Sequence, residues 1–437
     1  MTERSSSKEE LLELDPEAAA EALEAPRARW PQTFDAFRDR NFCWFFAALF
    51  GNFAAMNMQM FIRGWLVYEI TGSYEKLGWM SAAGGIVGLV LAPLGGVVAD
   101  RVRQKKHVVQ FCQGINASIT LTIAVLIAMG VLNFGHLLIA SIVQGMSMNA
   151  MMPSRQALTA EIVGMERLTN AIALSTSGMN TARLLVPGLA GFIVAALGGG
   201  NGNIDPAQYV YYIMTILYVI SMLGLIIVKI EDHEPEASGE PILEGLLQGF
   251  RYVFHTPIIR MLLGVNFLMV FFSMTYFLLL PGFVKDVLDA GPDRLGLIIS
   301  ISGIGSLVGS LLIASMPDRN RGRVLLSSAL LLGLGLIFFA SSTNYWLSVV
   351  ILTVVGLGQS GRMSLSNVLL QANVDNDYRG RVMSVYMLEF SILAISIYPI
   401  SLLADKVGPQ IAVGISGAGL VVLVLALFKV PAYRDLD

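Results

Sequence analysis

Charged residues are scarce in this chain: of its 437 residues only 14% are Asp, Glu, Lys or Arg, whereas 55% are hydrophobic. A soluble globular domain usually has about 25% charged residues, which it needs to cover its surface. The shortage of charge therefore excludes an ordinary water-soluble fold and indicates that a bilayer solvates much of the chain. The net charge of −3 provides no excess of basic residues, so we expect no nucleic-acid partner.

Cysteine and histidine are rare as well, which bears on disulfide and metal chemistry. Cys43 and Cys112 lie in or beside apolar stretches, and the four histidines are scattered without the spacing of a ligand set. This pattern argues against a disulfide framework and against a metal site. Because no cluster of nucleophile, base or metal ligand interrupts the apolar pattern, we expect neither a cofactor nor an enzyme.

The first 40 residues have no apolar core and no small-residue cleavage site, so we expect no signal peptide. They are polar and rich in Glu, and we interpret residues 1–40 as a cytoplasmic tail. The segment 9–24 either forms a short amphipathic helix on the membrane surface or belongs to a solvated, partly disordered tail.

Long apolar runs make up most of the remaining chain. At about 20 apolar residues per membrane crossing, they predict an all-α membrane protein with twelve transmembrane helices. The predicted spans are 42–68, 76–98, 107–132, 136–158, 170–197, 208–230, 258–281, 294–316, 324–341, 345–370, 382–404 and 409–430.

A long polar interruption after the sixth span divides these helices into two sets. Residues 41–230 are predicted to form an N-terminal six-helix bundle, and residues 258–430 a C-terminal six-helix bundle. The linker 231–257 contains apolar residues at helical spacing, which predicts an amphipathic helix along the cytoplasmic membrane surface. Residues 431–437 are predicted to be a second cytoplasmic tail.

Basic residues are distributed unevenly among the loops. Those after spans two, eight and ten contain Arg101, Arg103, Lys105, Lys106, Arg319, Arg321, Arg323, Arg379 and Arg381. The loops on the opposite side contain only a few, each with an acidic residue nearby: Lys76, Lys285, Arg294 and Lys406. The positive-inside rule therefore predicts a multi-pass protein of the plasma (inner) membrane with both termini in the cytoplasm.

The two predicted bundles carry similar features at equivalent places. Span two ends in the segment 96–101 and span eight in the segment 318–323, each with Asp and Arg, and Pro187 in span five is matched by Pro399 in span eleven. Duplicated six-helix halves around a central cavity are typical of an alternating-access transporter.

The run Gly96-x-x-x-Asp100-Arg101-x-x-x-Lys105-Lys106 resembles the loop motif of the major facilitator superfamily. The segments 66–73 and 377–384 are similar to the branch that contains bacterial siderophore exporters of the enterobactin type and macrolide efflux pumps. The resemblance covers roughly residues 34–430 and implies two pseudo-symmetric bundles that transport a small molecule. One departure concerns span four, where the run 141–145 reads Ser-Ile-Val-Gln-Gly and lacks the Arg that the family's drug/proton antiporters often have at its start. This departure argues against their usual route of proton coupling.

The resemblance also implies that cytoplasmic loop residues latch the two halves in the outward-facing state. Asp100, at a helix end, can accept hydrogen bonds from backbone donors and pair with a basic residue, for which Arg155 is our candidate. Gly96 permits close approach of a neighbouring helix. Alternatively, these charges only determine topology. The candidate latch residues are Gly96, Asp100, Arg101, Arg155, Asp318, Arg319, Arg379 and Arg381.

Four charged residues fall inside predicted spans, where each is energetically costly. Arg63 lies near the outer end of span one and either snorkels to the interface or faces the cavity. Arg183 lies in mid-span and either faces the cavity or belongs to a structural pair. Arg362 and Glu389 lie at matching depth in adjacent spans, about 10–12 Å from the cytoplasmic end. An ion pair between them is feasible, either as a static bridge or as a protonation switch that couples transport to protons.

Uncharged polar residues complete the predicted substrate cavity, whose candidates are Asn57, Arg63, Gln144, Asn180, Arg183, Asn266 and Gln359. We therefore predict a monomeric secondary transporter, in contact with membrane lipid, that exports small amphipathic molecules of siderophore, drug or metabolite type. Because Arg183 has no obvious partner, we expect its charge to be compensated by an anionic group on the substrate. The alternatives are uptake of a small metabolite and, in another class, a membrane receptor or a membrane-embedded enzyme.

Overall fold

A computed structural model describes residues 36–101, 105–228, 242–316, 319–375, 378–434 and 436. These residues form helices joined mostly by short turns, as the apolar runs predict. The helices are α1 (Arg40–Thr71), α2 (Tyr74–Arg101), α3 (Lys105–Ala128), α4 (Phe134–Ala196), α5 (Ala207–Ile227), α6 (Ile242–His255), α7 (Pro257–Asp286), α8 (Pro292–Ala314), α9 (Arg321–Ser341), α10 (Tyr345–Asn373), α11 (Arg379–Met387), α12 (Glu389–Val407), α13 (Pro409–Phe428) and α14 (Pro431–Arg434).

Within the described ranges, nine segments are long and apolar enough to cross a membrane. Eight are whole helices, namely α1, α3, α5, α7, α8, α9, α10 and α13, and the ninth is Asn170–Ala196, the second part of α4. The helix α2, the first part of α4 and the helix α12 lie where the sequence predicts the other three spans. The all-α membrane fold is therefore confirmed, and the count of twelve crossings stays a prediction.

The helix α4 reverses its direction although its helical assignment is continuous. With 63 residues it would be about 95 Å long if straight, far more than the ~30 Å of a bilayer core. In its first part, Gln144 contacts Arg63 and Arg155 contacts Phe53, so this part runs antiparallel to α1. In its second part, Gly178 lies against Phe46 and Gly191 against Phe61, so this part runs parallel to α1. The helix α4 thus contains two arms, which correspond to the predicted spans four and five.

The span predicted at 382–404 is two helices in the structure, α11 and α12. The helical hydrogen-bond pattern is interrupted at Leu388, whose N–H donates to the carbonyl of Val385, three residues back, at 3.2 Å. Glu389 is the first residue of α12. The predicted bounds gave no sign of this interruption, because hydropathy measures apolarity and not the continuity of backbone hydrogen bonds.

The linker helix α6 is docked on α11. Gly249 lies against the backbone carbonyl of Arg381, and the ring of Tyr252 stacks on that of Tyr378 with centroids 4.3 Å apart. The Tyr252 hydroxyl also donates a hydrogen bond of 2.9 Å to Asp375 Oδ2. These contacts join the segment between the two bundles to the part of the chain that precedes Glu389.

The two bundles pack against each other through small residues. In α2, Gly78 lies against Ser401 and Gly88 against Ser391, both in α12. In the second arm of α4, the backbone N–H of Gly188 donates to Ser300 Oγ of α8 at 3.0 Å. Glycine and serine allow the helix backbones to approach closely, which is the common way for helices to associate in lipid.

Candidate functional site

The outer end is the end of the molecule where α1 and α7 terminate, near Thr71 and Asp286; the sequence predicts that it is extracellular. At this end a carboxylate joins the two bundles, because the hydroxyls of Tyr68 and Tyr74 both donate to Asp286 Oδ2, the latter at 3.0 Å. Next to it, Lys285 Nζ lies 2.9 Å from Glu69 Oε2. Acids and hydroxyls from α1 and α2 thus meet the last turn of α7.

A second carboxylate, Asp405 of α12, caps the N-terminus of α2. It accepts hydrogen bonds from the Ser73 hydroxyl at 2.7 Å and from the backbone N–H groups of Tyr74 and Glu75 at 2.7 and 3.0 Å. The first N–H groups of a helix have no partner within the helix, and a carboxylate there is also favoured by the helix dipole. The first turn of α2 is therefore completed by a residue from the other bundle.

We call these residues the outer seal: Tyr68, Glu69, Ser73, Tyr74, Glu75, Lys285, Asp286 and Asp405. Sequence reasoning missed this cluster. The signals were the segment 66–73, used above only for a family resemblance, and the acidic residues beside Lys285 and Lys406. Nothing in the sequence indicates which acid meets which helix, since the partners are more than 200 residues apart.

The cytoplasmic latch that the sequence predicts stays a prediction. Gly96, Asp100 and Arg101 belong to the last turns of α2, where side-chain positions lie outside the described part of the structure, and Asp318 lies outside the described residues. Arg155, the candidate partner of Asp100, has its guanidinium 4.8 Å from the centre of the Phe53 ring.

The other basic residues near the predicted latch lie in different settings. Arg319 and Arg379 are exposed, and Arg381 lies over the Tyr378 ring at 5.5 Å. Lys105 forms an ion pair of 2.6 Å with Glu161, and Lys106 Nζ donates to the carbonyl of Val228 at 2.8 Å, beyond the end of α5. In this conformation both lysines bind to other segments of the N-terminal bundle, Lys105 to α4 and Lys106 to the residue after α5.

In the N-terminal bundle, Arg63 is held by a carboxamide. Its Nη1 donates to Gln144 Oε1 at 3.0 Å, and its charge also interacts with Tyr211 and Tyr218. Of the two interpretations of Arg63, this geometry favours an inward-facing side chain over a snorkelling one. Asn57, another predicted cavity residue, donates to the Phe53 carbonyl of its own helix at 2.8 Å.

In the C-terminal bundle, Asn266 separates the two residues for which an ion pair is feasible. Asn266 Nδ2 donates to Glu389 Oε2 at 2.6 Å, and Arg362 Nη1 donates to Asn266 Oδ1 at 3.1 Å. Among the ion pairs of the described residues, none within 4 Å joins Arg362 directly to Glu389. In place of the direct pair that the sequence makes feasible, the structure has a bridge through a carboxamide.

In this structure the bridge occupies the side chain of Asn266, and the role of Asn266 as a cavity residue stays a prediction. Its side chain is only 2% exposed, and Arg362 and Glu389 are 1% and 7% exposed, so the three form a buried network. Gln359 flanks this network, with its Oε1 3.5 Å from Arg362 Nε and its amide directed at the sulfur of Met274, 3.3 Å away. A buried acid and a buried base are thus both hydrogen-bonded to one neutral side chain. We call these three residues, Asn266, Arg362 and Glu389, the Asn266 bridge.

Arg183 is placed differently from the other intramembrane charges. It lies at the midpoint of the segment Asn170–Ala196, about 20 Å from either end, and it is exposed, as is Asn180 one turn earlier. Its charge acts on the Tyr276 hydroxyl of α7, and within the described ranges no ion-pair partner lies near it. A cation at this depth requires compensation by water, a polar group or a bound anion.

The chain was compared with known proteins. The family model of the Major Facilitator Superfamily matches residues 45–397. Multidrug efflux pump Tap of Mycolicibacterium fortuitum is 24% identical over 388 residues, covering 85% of this chain and 91% of that protein. Macrolide efflux protein A of Streptococcus pyogenes is 23% identical over 385 residues, covering 87% of this chain and 93% of that protein.

Solved structures show a similar fold. A bacterial homologue of the iron transporter ferroportin, in its inward-facing state, matches with a TM-score of 0.73 at 13% sequence identity and covers 89% of this chain and 98% of its own. The family match extends over most of the chain, and the efflux relatives agree with the branch that the segments 66–73 and 377–384 indicate. This chain belongs to the major facilitator superfamily.

Proposed function

We propose that this protein is a secondary active exporter of small amphipathic molecules that works by alternating access and is coupled to protons. The observation that carries this proposal is the outer seal, in which polar groups of the two bundles bond to each other at one end of the molecule. Hydrogen bonds between polar groups can be exchanged for bonds to water, so such a seal can open and close. Alternating access requires a seal of this kind.

The inner ends of the bundles support an inward-facing state. The helix α12 begins at Glu389, and Ser391 near its start lies against Gly88 of α2. From Gly88, α2 continues to Arg101, a further distance of about 20 Å. The chain before Leu388 turns instead toward the linker helix, where Tyr252 stacks on Tyr378. The contacts of α2 with α12 that the structure describes, from Gly78 with Ser401 to Gly88 with Ser391, thus all lie on the outer side of Glu389.

Export, in preference to uptake, is supported by two relatives named for efflux that align over nearly their whole length. Proton coupling is supported by the Asn266 bridge, because a carboxyl group as buried as that of Glu389 changes its surroundings strongly when it gains or loses a proton. An anionic substrate is supported by Arg183, an exposed cation at the middle of its span.

The test uses cells that express the protein and are preloaded with a fluorescent amphipathic carboxylate or with its neutral methyl ester. We expect wild-type cells to lose the carboxylate faster than the ester and faster than cells without the protein. In Arg183→Ala the difference between carboxylate and ester should disappear. Arg260→Ala is the matched control, because Arg260 is also an exposed arginine but donates to the Phe254 carbonyl near the linker helix.

Two outcomes would contradict the proposal. If the protein makes cells accumulate the carboxylate from the medium, it is an uptake transporter. If wild type treats carboxylate and ester alike, or if Arg183→Ala keeps the preference, the anionic substrate is wrong and Arg183 has a structural role.

A further inference from the structure

The carboxamide of Asn266 has a fixed orientation between two charges. Its NH₂ group faces the Glu389 carboxylate at 2.6 Å, and its carbonyl oxygen faces the Arg362 guanidinium at 3.1 Å. Each end of the amide dipole is therefore directed at the charge that it stabilises. Three helices meet at this point, because Asn266 belongs to α7, Arg362 to α10 and Glu389 to the start of α12.

We propose that Asn266 is the positioning residue that converts protonation of Glu389 into release of Arg362, by rotation of its carboxamide. This inference rests on the proposed proton coupling and adds the residue that transmits the proton's effect. It assigns to Asn266 a role that differs from that of a substrate ligand or a passive contact between helices.

The chemistry follows from donors and acceptors. A proton that reaches Glu389 from water forms one O–H bond, and no other covalent bond changes. The neutral carboxyl group then has a donor of its own and is a weaker acceptor for the Asn266 NH₂ group. Rotation of the amide by half a turn presents Oδ1 to the new O–H group. The same rotation turns the NH₂ group toward Arg362, where two donors face each other and cannot bond.

Protonation therefore removes two sources of stabilisation from Arg362. The anion that balances its charge is neutralised, and the carbonyl oxygen that accepts its hydrogen bond turns away. A guanidinium that is 1% exposed cannot remain without compensation, so α10 must move relative to α7 or admit water. A direct bridge between Arg362 and Glu389 would lose only the charge, whereas the amide adds a geometric switch with two discrete positions.

The other groups around the bridge leave this switch intact. The Tyr386 hydroxyl of α11 lies within hydrogen-bonding reach of Glu389, and Tyr433 of α14 interacts with Arg362. Burial raises the pKa of Tyr433, which lies outside the membrane spans, so that its hydroxyl stays neutral and does not replace Glu389 as a counter-anion. Gln359, a neutral group, is at the limit of hydrogen-bonding distance from Arg362.

The experiment measures pH profiles in proteoliposomes that contain the full chain, with the amphipathic carboxylate as substrate. Infrared difference spectroscopy follows protonation of the Glu389 carboxyl group in parallel, with Glu389→Gln to identify its band. In Asn266→Leu the carboxylate loses a charge-assisted hydrogen bond, so the midpoint of its titration should move up by about one to two pH units. Accumulation driven by a pH gradient should be lost, while downhill flux persists.

Asn52→Leu is the matched control. Asn52 is a buried asparagine of α1, 1% exposed, and its side chain has no hydrogen-bond partner in the described part of the molecule. It should retain the wild-type midpoint and gradient-driven accumulation. If Asn266→Leu does not fold, Asn266→Asp serves the same purpose, because its carboxylate still accepts from Arg362 but offers no donor to Glu389. We expect the same upward shift and the same loss of accumulation from it.

The outcomes separate this inference from the function on which it rests. If wild type responds to pH and Asn266→Leu or Asn266→Asp keeps the wild-type midpoint and accumulation, the role of Asn266 is refuted and proton coupling stands. If wild type shows no pH response and matches Glu389→Gln, proton coupling itself is refuted, and the inference with it. A shift in Asn52→Leu equal to that in Asn266→Leu would also refute the inference, since any buried amide would then have the effect.

Discussion

At the scale of single residues, each bundle binds one intramembrane arginine through the oxygen of a carboxamide. Arg63 is bound by the carboxamide oxygen of Gln144, and Arg362 by that of Asn266. In each bundle the pair joins the first predicted span to the fourth. The arginine is on the first span in the N-terminal bundle and on the fourth in the C-terminal bundle, and the carboxamide is on the other span. In the described part of the N-terminal bundle no acid bonds to the Gln144 carboxamide, whereas Asn266 donates to Glu389. The two sites are therefore similar in structure, and among the described residues only the Asn266 site has a carboxyl group bonded to its carboxamide.

The first prediction concerns the acceptor for Arg63. In Gln144→Leu the guanidinium loses its side-chain acceptor, and we expect the free energy of unfolding to fall by about 1.5–3 kcal/mol, the usual range for a hydrogen bond to a charged group. Thermal unfolding in detergent measures the change. Gln144→Glu keeps an acceptor at the same place and should retain stability. Equal stability of wild type and Gln144→Leu would show that water or a tyrosine replaces the lost contact.

The intramembrane charges could be found from the sequence, but their partners could not. Arg63, Arg183, Arg362 and Glu389 are conspicuous because charge is rare in apolar runs. A carboxamide such as Asn266 is common in such runs, and hydropathy does not indicate which way a helix turns its side chains. Whether Asn266 faces the substrate cavity or bonds to Arg362 and Glu389 depends on how α7, α10 and α12 are rotated relative to one another. That rotation depends on packing across the whole bundle.

At the scale of elements, glycines determine how closely the helices α8 and α10 approach. A Cβ atom added at Gly305 would overlap the carbonyl oxygen of Thr353, and one at Gly356 would overlap that of Ser302. The two helices thus pack backbone to backbone over about one turn at their crossing. If side chains replaced these glycines, α8 and α10 would be separated by at least the width of a methyl group. Arg362 would then move together with α10.

The second prediction tests this contact. Gly305→Ala should lower the free energy of unfolding by about 1–3 kcal/mol, because the methyl group meets backbone that has no freedom to withdraw. Gly264→Ala is the matched control within a helix of the same bundle, since nothing lies within 4 Å of a Cβ atom there. Its higher helix propensity should leave stability unchanged or raise it by up to about 1 kcal/mol. Equal effects of the two substitutions in thermal unfolding would contradict the packing account.

Helix positions were predictable to within a few residues, because membrane thickness and hydropathy together constrain them. The predicted span 345–370 is Tyr345–Asn373 in the structure, and 409–430 is Pro409–Phe428. The interruption at Leu388 was not predictable in this way, since most residues around it are apolar and hydropathy treats Glu389 only as a single charge within a span. Its cause is a local change in hydrogen bonding, for which the sequence contains no proline or glycine as a signal.

At the scale of the whole molecule, the two bundles are joined at the outer end by the seal and are predicted to be joined at the inner end by the latch. The seal is closed in this structure, with Asp405 on the N-terminus of α2 and Asp286 bound by two tyrosines. A transporter that alternates between two states needs both junctions to be weak enough to break. Changes at the two ends should therefore have opposite effects on the distribution of states.

The third prediction compares those ends. Asp405→Ala removes the cap of α2 and should shift the equilibrium toward the outward-facing state by about 2- to 30-fold, corresponding to a cap of about 0.5–2 kcal/mol. Asp100→Asn should shift it toward the inward-facing state, as expected from a latch that stabilises the outward one. Spin-label distances across each end measure both shifts.

A matched control for the seal is Asp293→Ala. Asp293 is an exposed acid in the first turn of α8. Its removal should leave the distances unchanged. If Asp405→Ala and Asp100→Asn shift the distribution of states in the same direction, the opposite roles of seal and latch are contradicted. If Asp405→Ala causes no shift, the cap does not contribute to the equilibrium between the two states.

The cap on α2 also has a consequence for biogenesis. Tyr74 and Asp405 are 331 positions apart in the chain, so the ribosome has delivered the entire first bundle to the membrane before the capping residue is synthesised. Until then the first turn of α2 must take its hydrogen bonds from water or lipid headgroups. Because a late helix completes this early one, the first bundle keeps an uncapped helix end until the second bundle has been inserted.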